Sequence, residues 1–343
     1  FTFTDTSATN YDYLGAVHIT GSVTGWRLDH IKFDNVNYRA GQVRTYGCEG
    51  LIDHIQVIFD TPSTFSSSSG FYITTQNPEA MWDKATSLGA VDAVYIEDSV
   101  FYKCYSTPGT AVDGEWGAKI VFRHNTTTNM GILVHGYEGN RSAMRFEAYE
   151  NTINGTSDYS FEGITWRGGS GVAFNNTIRG NWWKVLQLKD YCIAEDECNP
   201  TACQHPDCDS YPCTDQIGRI YDESSSSQKL EPIPFWGNTY NGSTFNNPWV
   251  YDWKSTCSAI DVDGPDIIQE NRDYYVQKDG FDGSEGIGSG LSSRRPETCT
   301  TGVYWWNRDT ERLDKCVAEN SWRSGYFKPY AYPHPLTQKV SDN

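Results

Sequence analysis

Apolar and polar residues alternate in short runs along the first 180 residues, and one run returns about every twenty-five positions. Residues 27–33 read RLDHIKF and residues 51–57 read LIDHIQV, each with an apolar residue, a polar pair and an apolar-x-apolar ending. The further copies are YIEDSVF (95–101), VFRHNTT (121–127), AYENTI (148–153) and AFNNTI (173–178). Alternation with period two, broken by Gly, Asn and Asp, predicts short strands rather than helices.

The residues before the polar pairs are Leu28, Ile52, Ile96, Phe122, Ala148 and Ala173, at steps of 24, 44, 26, 26 and 25 residues. We interpret the long step as two periods, with FYITT (71–75) as a degenerate copy between them. An incomplete copy precedes the series at GAVHIT (15–20), and another follows it at PFWGNTYNG (234–242). Repeats of this length are typical of solenoids. The predicted fold is therefore all-β, a right-handed parallel β-helix with about 22–26 residues per turn.

Two aligned columns refine this prediction. One column reads Ile31, Ile55, Ser99, Asn125, Asn151 and Asn176, which predicts an internal asparagine ladder with each amide bonded to the next turn. The other column reads His30, His54, Asp98, His124, Glu150 and Asn175. Its varied polar chemistry favours an exposed bend, and a metal ion shared by the first two histidines is the alternative.

Composition and charge narrow the class of protein. The chain has 343 residues with a formal net charge of −17, which argues against a nucleic-acid partner and favours cations such as Ca²⁺. Aromatic residues make up 14%, too many for a disordered chain. No segment approaches the ~20 apolar residues of a membrane span. Because no signal peptide is visible before Phe1, we expect a mature, secreted form.

The chain has ten cysteines, an even number that fits disulfides in an oxidising compartment. Five of them lie close together, at Cys192, Cys198, Cys203, Cys208 and Cys213. Zinc is the competing interpretation of this cluster, but its spacings contain no C-x2-C knuckle. We predict a β-helix over 1–255 with a Cys-rich insertion at 190–230, and a C-terminal extension over 256–343. That extension contains a disulfide-tied hairpin at 299–316.

Two resemblances support the fold. WRLDH (26–30) resembles the W-I-D-H segment of pectate lyases, which are right-handed parallel β-helices acting on acidic polysaccharide. The R-x-P-x-x-R segment that carries their catalytic arginine is absent, as is the polygalacturonase set. DYC (190–192), YPCTDQIGR (211–219), ENRDYY (270–275) and YAYPHPL (330–336) are together similar to a largely uncharacterised group of secreted bacterial parallel β-helix repeat proteins. That resemblance implies fold and export, with Cys192 paired to Cys213 and Cys299 paired to Cys316.

The strands that precede the aligned copies should form a second sheet, whose outward residues suit sugar chemistry. The polar candidates there are Arg44, Asp113, Glu115, His135, Glu138, Arg167, Lys184 and Lys189. A lyase needs a cation and a base, for which Arg167 and Lys189 are candidates, with Asp113 and Glu115 as Ca²⁺ ligands. A hydrolase needs two carboxylates, for which Asp113 and Glu138 are candidates. A solvated face without chemistry is the third alternative.

Two further segments carry weaker signals. DVDGPD (261–266) places Asp261, Asp263 and Asp266 as oxygen ligands for Ca²⁺, but it lacks the Glu at the twelfth position of an EF-hand loop, which favours a plain Asp-Gly turn. Trp305 and Trp306 in the hairpin could stack on sugars, or the hairpin could cap the solenoid.

The leading functional hypothesis is a secreted protein that binds or acts on an extracellular polysaccharide. The rival is a structural or adhesive subunit that assembles into fibres, with FTFTDTSATNYDY (1–13) as a strand for a neighbouring copy. A trimeric, phage-type receptor-binding spike is a third hypothesis.

Overall fold

The computed structural model describes residues 1–4, 15–36, 41–60, 68–74, 87–104, 109–135, 142–189, 216–222, 227–251 and 268–338. Within these ranges the chain is all-β. The helical pieces there are two short 3-10 turns, Ser292–Arg294 and Pro335–Gln338. No helix in the described part is long and apolar enough to cross a membrane.

In the first half of the chain the strands are β1 (Thr2–Thr4), β2 (Val17–Thr20), β3 (Thr24–Asp29), β4 (Lys32–Asp34), β5 (Val43–Tyr46), β6 (Glu49–Asp53), β7 (Gln56–Phe59), β8 (Ser68–Thr74), β9 (Val94–Glu97), β10 (Val100–Lys103), β11 (Gly109–Gly114), β12 (Lys119–Arg123), β13 (Thr126–Thr128), β14 (Gly131–Val134), β15 (Arg145–Tyr149) and β16 (Thr152–Trp166). In the second half they are β17 (Ser170–Phe174), β18 (Thr177–Lys189), β19 (Arg219–Asp222), β20 (Ser227–Leu230), β21 (Ile233–Trp236), β22 (Thr239–Tyr240), β23 (Ser243–Thr244), β24 (Trp249–Tyr251), β25 (Tyr274–Val276), β26 (Ile287–Gly290), β27 (Tyr304–Asn307), β28 (Arg312–Ala318) and β29 (Ser321–Phe327).

An eight-stranded parallel sheet carries the repeat. Its order is β3, β6, β9, β12, β15, β17, β21 and β25. The pairing register joins Leu28 to Ile52, then Ile96, Phe122, Ala148 and Ala173 in turn. The column read from the sequence is therefore confirmed. The last copy is confirmed as well, because Phe235 of β21 lies beside Ala173.

A fifteen-stranded sheet holds the two other strands of each repeat, in two arms. One arm runs through β1, β4, β7, β10 and β13, and the other through β2, β5, β8, β11 and β14. Both arms reach β16, which pairs with β18 along most of its length. Each strand of these two arms pairs in parallel with its counterpart in the next repeat, which places equivalent side chains about 4.8 Å apart.

The interpretation of the 44-residue step was wrong. Ile52 and Ile96 pair directly, so the two copies belong to neighbouring repeats and no copy lies between them. FYIT belongs to β8, which pairs with β5 and β11 in the other sheet. Its short apolar alternation suits any strand of the repeat, which explains the misassignment. The step is one repeat lengthened by an insertion.

The two sheets enclose an apolar core with a buried polar ladder. Asn125, Asn151 and Asn176 are at most 1% exposed. The Oδ1 of Asn125 accepts from the backbone N–H of Ser99 at 2.9 Å, and the same bond links Asn151 to Asn125 at 3.0 Å and Asn176 to Asn151 at 3.2 Å. Asn238 continues the series at 3.1 Å. The predicted asparagine ladder is confirmed.

The bend before the ladder has a left-handed backbone. Positive φ angles of 49° to 58° occur at all six members of the variable column: His30, His54, Asp98, His124, Glu150 and Asn175. These residues form the predicted bend. The acidic residues before them are not all on the surface, however. Asp53 and Glu97 are fully buried, because Arg27 and Arg123 pair with them on the outer side of the eight-stranded sheet.

The C-terminal residues form a second layer on that outer side. Strands β26 to β29 make a four-stranded sheet, and the predicted disulfide between Cys299 and Cys316 is confirmed. Phe174 and Trp236 stack with ring centroids 4.3 Å apart, and Trp306 packs on both. The extension therefore covers the flank of the repeat. The domain boundary at 255 stays a prediction, and β25 continues the eight-stranded sheet beyond it.

Candidate functional site

Polar residues cluster on the outer face of the fifteen-stranded sheet, at the ends of β11 and β14. Val112 and Ile132 point into the core, so their strand neighbours face outward. Tyr72 pairs with Asp113 in register. Glu115 and His135 directly follow the paired residues Gly114 and Val134. Three adjacent strands thus bring these side chains together.

Asp113, Glu115 and His135 form a compact group. One ligand atom from each lies within 4.8 Å of the others, and this is the one such group of three found within the described ranges. The Nδ1 of His135 lies 2.7 and 2.8 Å from the two carboxylate oxygens of Asp113, and 3.7 Å from Oε1 of Glu115. The Tyr72 hydroxyl donates to Oε2 of Glu115.

The hydrogen bond to Asp113 determines which ring nitrogen of His135 carries the proton. Because an ionised carboxylate only accepts hydrogen bonds, Nδ1 carries the proton and the neutral ring keeps its lone pair on Nε2. Burial lowers the pKa of His135, but the attraction of Asp113 and its hydrogen bond outweigh burial, and the pKa is raised. The imidazole side chain is 23% exposed, whereas the carboxylate side chain of Asp113 is 9% exposed. The pair is an oriented base that solvent can reach.

Tyr72 and Arg44 extend the group to the next strands. Burial raises the pKa of Tyr72, and the neighbouring Glu115 carboxylate raises it further, so the phenol keeps its proton at neutral pH. The Arg44 guanidinium lies 5.2 Å from the centre of the Tyr72 ring. The site therefore combines a base, a proton donor and a nearby cation.

No protein-family model, curated protein or solved structure matches this chain.

The predicted cations lie on the next strands. Arg167 follows the end of β16, and its positive charge acts to lower the pKa of His135. Lys189 ends β18, where Trp166 pairs with Leu188. The register thus places Arg167 beside Lys189. The structure brings Asp113, Glu115, His135 and Arg167 together, with Lys189 one strand away.

The donor set of this group bears on the Ca²⁺ prediction. Ca²⁺ takes six to eight oxygen ligands, whereas an imidazole with two carboxylates suits Mn²⁺ or Zn²⁺ better. In the structure Nδ1 of His135 is committed to Asp113. The observed hydrogen bonds fit an acid–base site, and Ca²⁺ at Asp113 and Glu115 stays a prediction.

Several predicted residues lie outside the described part of the chain. They are Glu138, Cys192, Cys213, Asp261, Asp263 and Asp266. Their predicted roles in catalysis, disulfide pairing and metal binding stay predictions.

Trp305 and Trp306 are 6% and 7% exposed. Trp305 packs near Phe281, with ring centroids 5.8 Å apart, and Trp306 packs on the outer side of the eight-stranded sheet. This packing uses most of both ring surfaces, which leaves little of either indole for a sugar.

A cavity of about 680 Å³ lies away from the Asp113 group, between the eight-stranded sheet and the C-terminal segment. Its Arg123 donates to Glu97 and to the backbone carbonyls of Tyr330 and Ala331. Burial, and then the charge of Arg123, lower the pKa of His124 in its wall to about 4. We read these contacts as attachment of the C-terminal segment to the sheet.

Tyr72 was missed by sequence reasoning. It lies in the FYIT segment that was aligned with the wrong strand. Aligning that segment with Val43–Tyr46 and with the end of β11 would have placed Tyr72 directly beside Asp113 on the same face of the neighbouring strand.

Proposed function

We propose that the protein is a secreted right-handed parallel β-helix that binds an acidic extracellular polysaccharide and cleaves it by β-elimination. Right-handed winding is supported by the parallel pairing of strands joined by crossovers, which are right-handed in about 98% of cases. Secretion is supported by the Cys299–Cys316 disulfide, because such bonds persist in oxidising compartments. The acidic substrate class is supported by the cations Arg167 and Lys189 on the outer face of the fifteen-stranded sheet.

The observation that carries the proposal is the Asp113–His135 pair beside Tyr72. In the proposed reaction an arginine of the face neutralises the uronate carboxylate, which makes the C5 proton more acidic. Nε2 of His135 removes that proton, and the C5–H electron pair forms the C4–C5 double bond. The C4–O4 bond breaks, and the Tyr72 hydroxyl protonates the leaving oxygen. No water is consumed; His135 then releases the C5 proton to solvent and the Tyr72 phenolate takes a proton from solvent, which restores both groups.

The same geometry disfavours hydrolysis by Asp113 and Glu115, whereas hydrolysis by the predicted pair of Asp113 and Glu138 stays a prediction, because Glu138 lies outside the described residues. Retaining glycosidases place two carboxyl groups about 5–5.5 Å apart on either side of the scissile bond. Here Nδ1 of His135 lies between the two carboxylates, at 2.7 and 3.7 Å. A sugar ring cannot occupy that space.

A structural role in self-assembly is the second candidate. Strand β1 pairs with β4 of the same chain, so the first strand is used within the chain rather than donated to a neighbour. Phe3 of this strand and Phe1 just before it are nevertheless 39% and 97% exposed. An edge strand with exposed aromatic side chains can add a further chain.

The test is incubation with pectate, alginate and other uronate polymers while following the absorbance of unsaturated uronate. We expect a rise with at least one polymer and its loss in His135→Ala. His30→Ala is the matched control, because that imidazole is 69% exposed and lies at a bend outside the site. Absence of any rise, from protein that is folded and monomeric, would count against the lyase. Particles far above monomer mass in light scattering would favour assembly.

A further inference from the structure

Exposed aromatic side chains gather where β16, β18 and β24 meet in the fifteen-stranded sheet. Phe161 is 38% exposed and Trp183 is 40% exposed. Their rings stack with centroids 5.5 Å apart. Trp183 also contacts Trp249 at 6.1 Å, and Trp249 contacts Tyr251 at 5.0 Å. Four rings from three strands thus form one surface, which we call the aromatic platform.

Two lysines lie over the rings of this platform. The Nζ of Lys184 is 3.7 Å from the centre of the Trp249 ring and 5.4 Å from that of Trp183. The Nζ of Lys189 is 5.6 Å from the centre of the Tyr251 ring. In a chain with a net charge of −17, two lysines over aromatic faces favour an anionic ligand with apolar surface.

The strand register connects the aromatic platform to His135. Leu133 pairs with Thr165, which places His135 beside Arg167, two residues further along both strands. Lys189 pairs with Tyr251. One row across the sheet therefore runs from His135 through Arg167 and Lys189 to Tyr251. Its length is three strand spacings, or about 14 Å.

Every member of this row is partly exposed. His135, Arg167, Lys189 and Tyr251 all have intermediate exposure. In the neighbouring row, Thr165 and Gln187 are fully buried. A ligand that reaches from His135 to the aromatic platform is therefore expected to follow the row of the two cations.

We infer that the aromatic platform is a distal subsite for the acidic polysaccharide, with Arg167 and Lys189 binding uronate carboxylates between it and His135. This inference rests on the proposed function. The polymer would lie across the strands, because pyranose units repeat at a spacing close to that of neighbouring strands. Carbohydrate rings present C–H faces that pack on aromatic side chains, which matches Trp183 and its neighbours.

The subsite predicts a dependence on chain length. A uronate trimer bound at His135 would contact the cations but reach the aromatic platform poorly, whereas a hexamer would cover both. We expect the hexamer to bind more tightly, and Trp183→Ala and Trp249→Ala each to weaken hexamer binding by about three- to tenfold. The trimer should be weakened less.

The experiment is isothermal titration of the whole protein with galacturonate and mannuronate trimers and hexamers, which needs no catalysis. Phe1→Ala is the control, because it removes an exposed aromatic ring far from the site. Circular dichroism checks that each variant is folded. A preference for the hexamer that is lost in the two tryptophan variants and kept in Phe1→Ala supports the distal subsite.

Two other outcomes distinguish failure of the distal subsite from failure of the proposed function. Hexamer binding that is unaffected by both tryptophan variants, or that is no tighter than trimer binding, overturns the distal subsite and leaves the proposed function standing. No binding of any uronate oligomer by the folded wild-type protein overturns the proposed function together with the subsite.

Discussion

Replacing Asn151 by alanine should strongly destabilise the fold, because this residue lies inside the asparagine ladder. Its side chain is 1% exposed and makes three hydrogen bonds. Oδ1 accepts from the backbone N–H of Asn125 at 3.0 Å, and Nδ2 donates to the carbonyl of Phe122 at 2.9 Å and to Oδ1 of Asn176 at 3.0 Å.

The magnitude follows from the groups left without partners. Alanine leaves the N–H of Asn125 without a partner, and a buried polar group without a partner costs about 1–3 kcal/mol, whereas the carbonyl of Phe122 lies in the β12–β15 ladder and loses only a second bond. Oδ1 of Asn176 keeps its bond from the backbone N–H of residue 151 at 3.2 Å and adds little. The free energy of unfolding should therefore fall by about 1–3 kcal/mol, a substantial part of the ~5–15 kcal/mol typical of a domain.

Urea unfolding, followed by tryptophan fluorescence and circular dichroism, measures this loss. Asn175→Gly is the matched control, since Asn175 is exposed and its φ of 53° is one that glycine adopts freely. The control should change the free energy of unfolding by no more than about 0.5 kcal/mol. A loss below about 1 kcal/mol in Asn151→Ala would refute the argument that the ladder satisfies buried backbone groups.

Three further changes test other parts of the structure. Asp113→Asn removes the carboxylate attraction that raises the pKa of His135, so an NMR titration of that imidazole should show a lower pKa; an unchanged or higher value would contradict the pairing. Arg123→Ala leaves a fully buried carboxylate unpaired and should cost about 3–5 kcal/mol in urea unfolding, with faster proteolysis near residue 330; unaltered stability would contradict the buried pair. Changing Cys299 and Cys316 together to serine should lower the free energy of unfolding by about 2–4 kcal/mol, and a loss near zero would contradict a stabilising disulfide.

The core could be predicted from the sequence because stacked inward positions share one chemistry. Leu28, Ile52 and Ile96 pair as expected, and the change from isoleucine to asparagine at the next column marks the ladder. Insertions between repeats carry no such constraint. For this reason FYIT was assigned to the wrong strand, although its alternation was recognised.

The candidate site could be predicted in part, from the outward parity of Asp113 and His135. Their hydrogen bond depends on strand register, which local pattern does not show. The position of the C-terminal extension could not be derived either. Phe174 and Trp236 occupy outward positions, and their partner Trp306 lies far away in the sequence, so no local signal identifies the contact.

The central claim is that His135 drives β-elimination of an acidic polysaccharide, and the most direct measurement is the mass of products formed in ¹⁸O-labelled water. Elimination consumes no water. Wild-type protein should therefore release unsaturated oligosaccharides without the label, and His135→Ala should release none. Saturated products with one labelled oxygen for each bond cut would show hydrolysis and contradict the account.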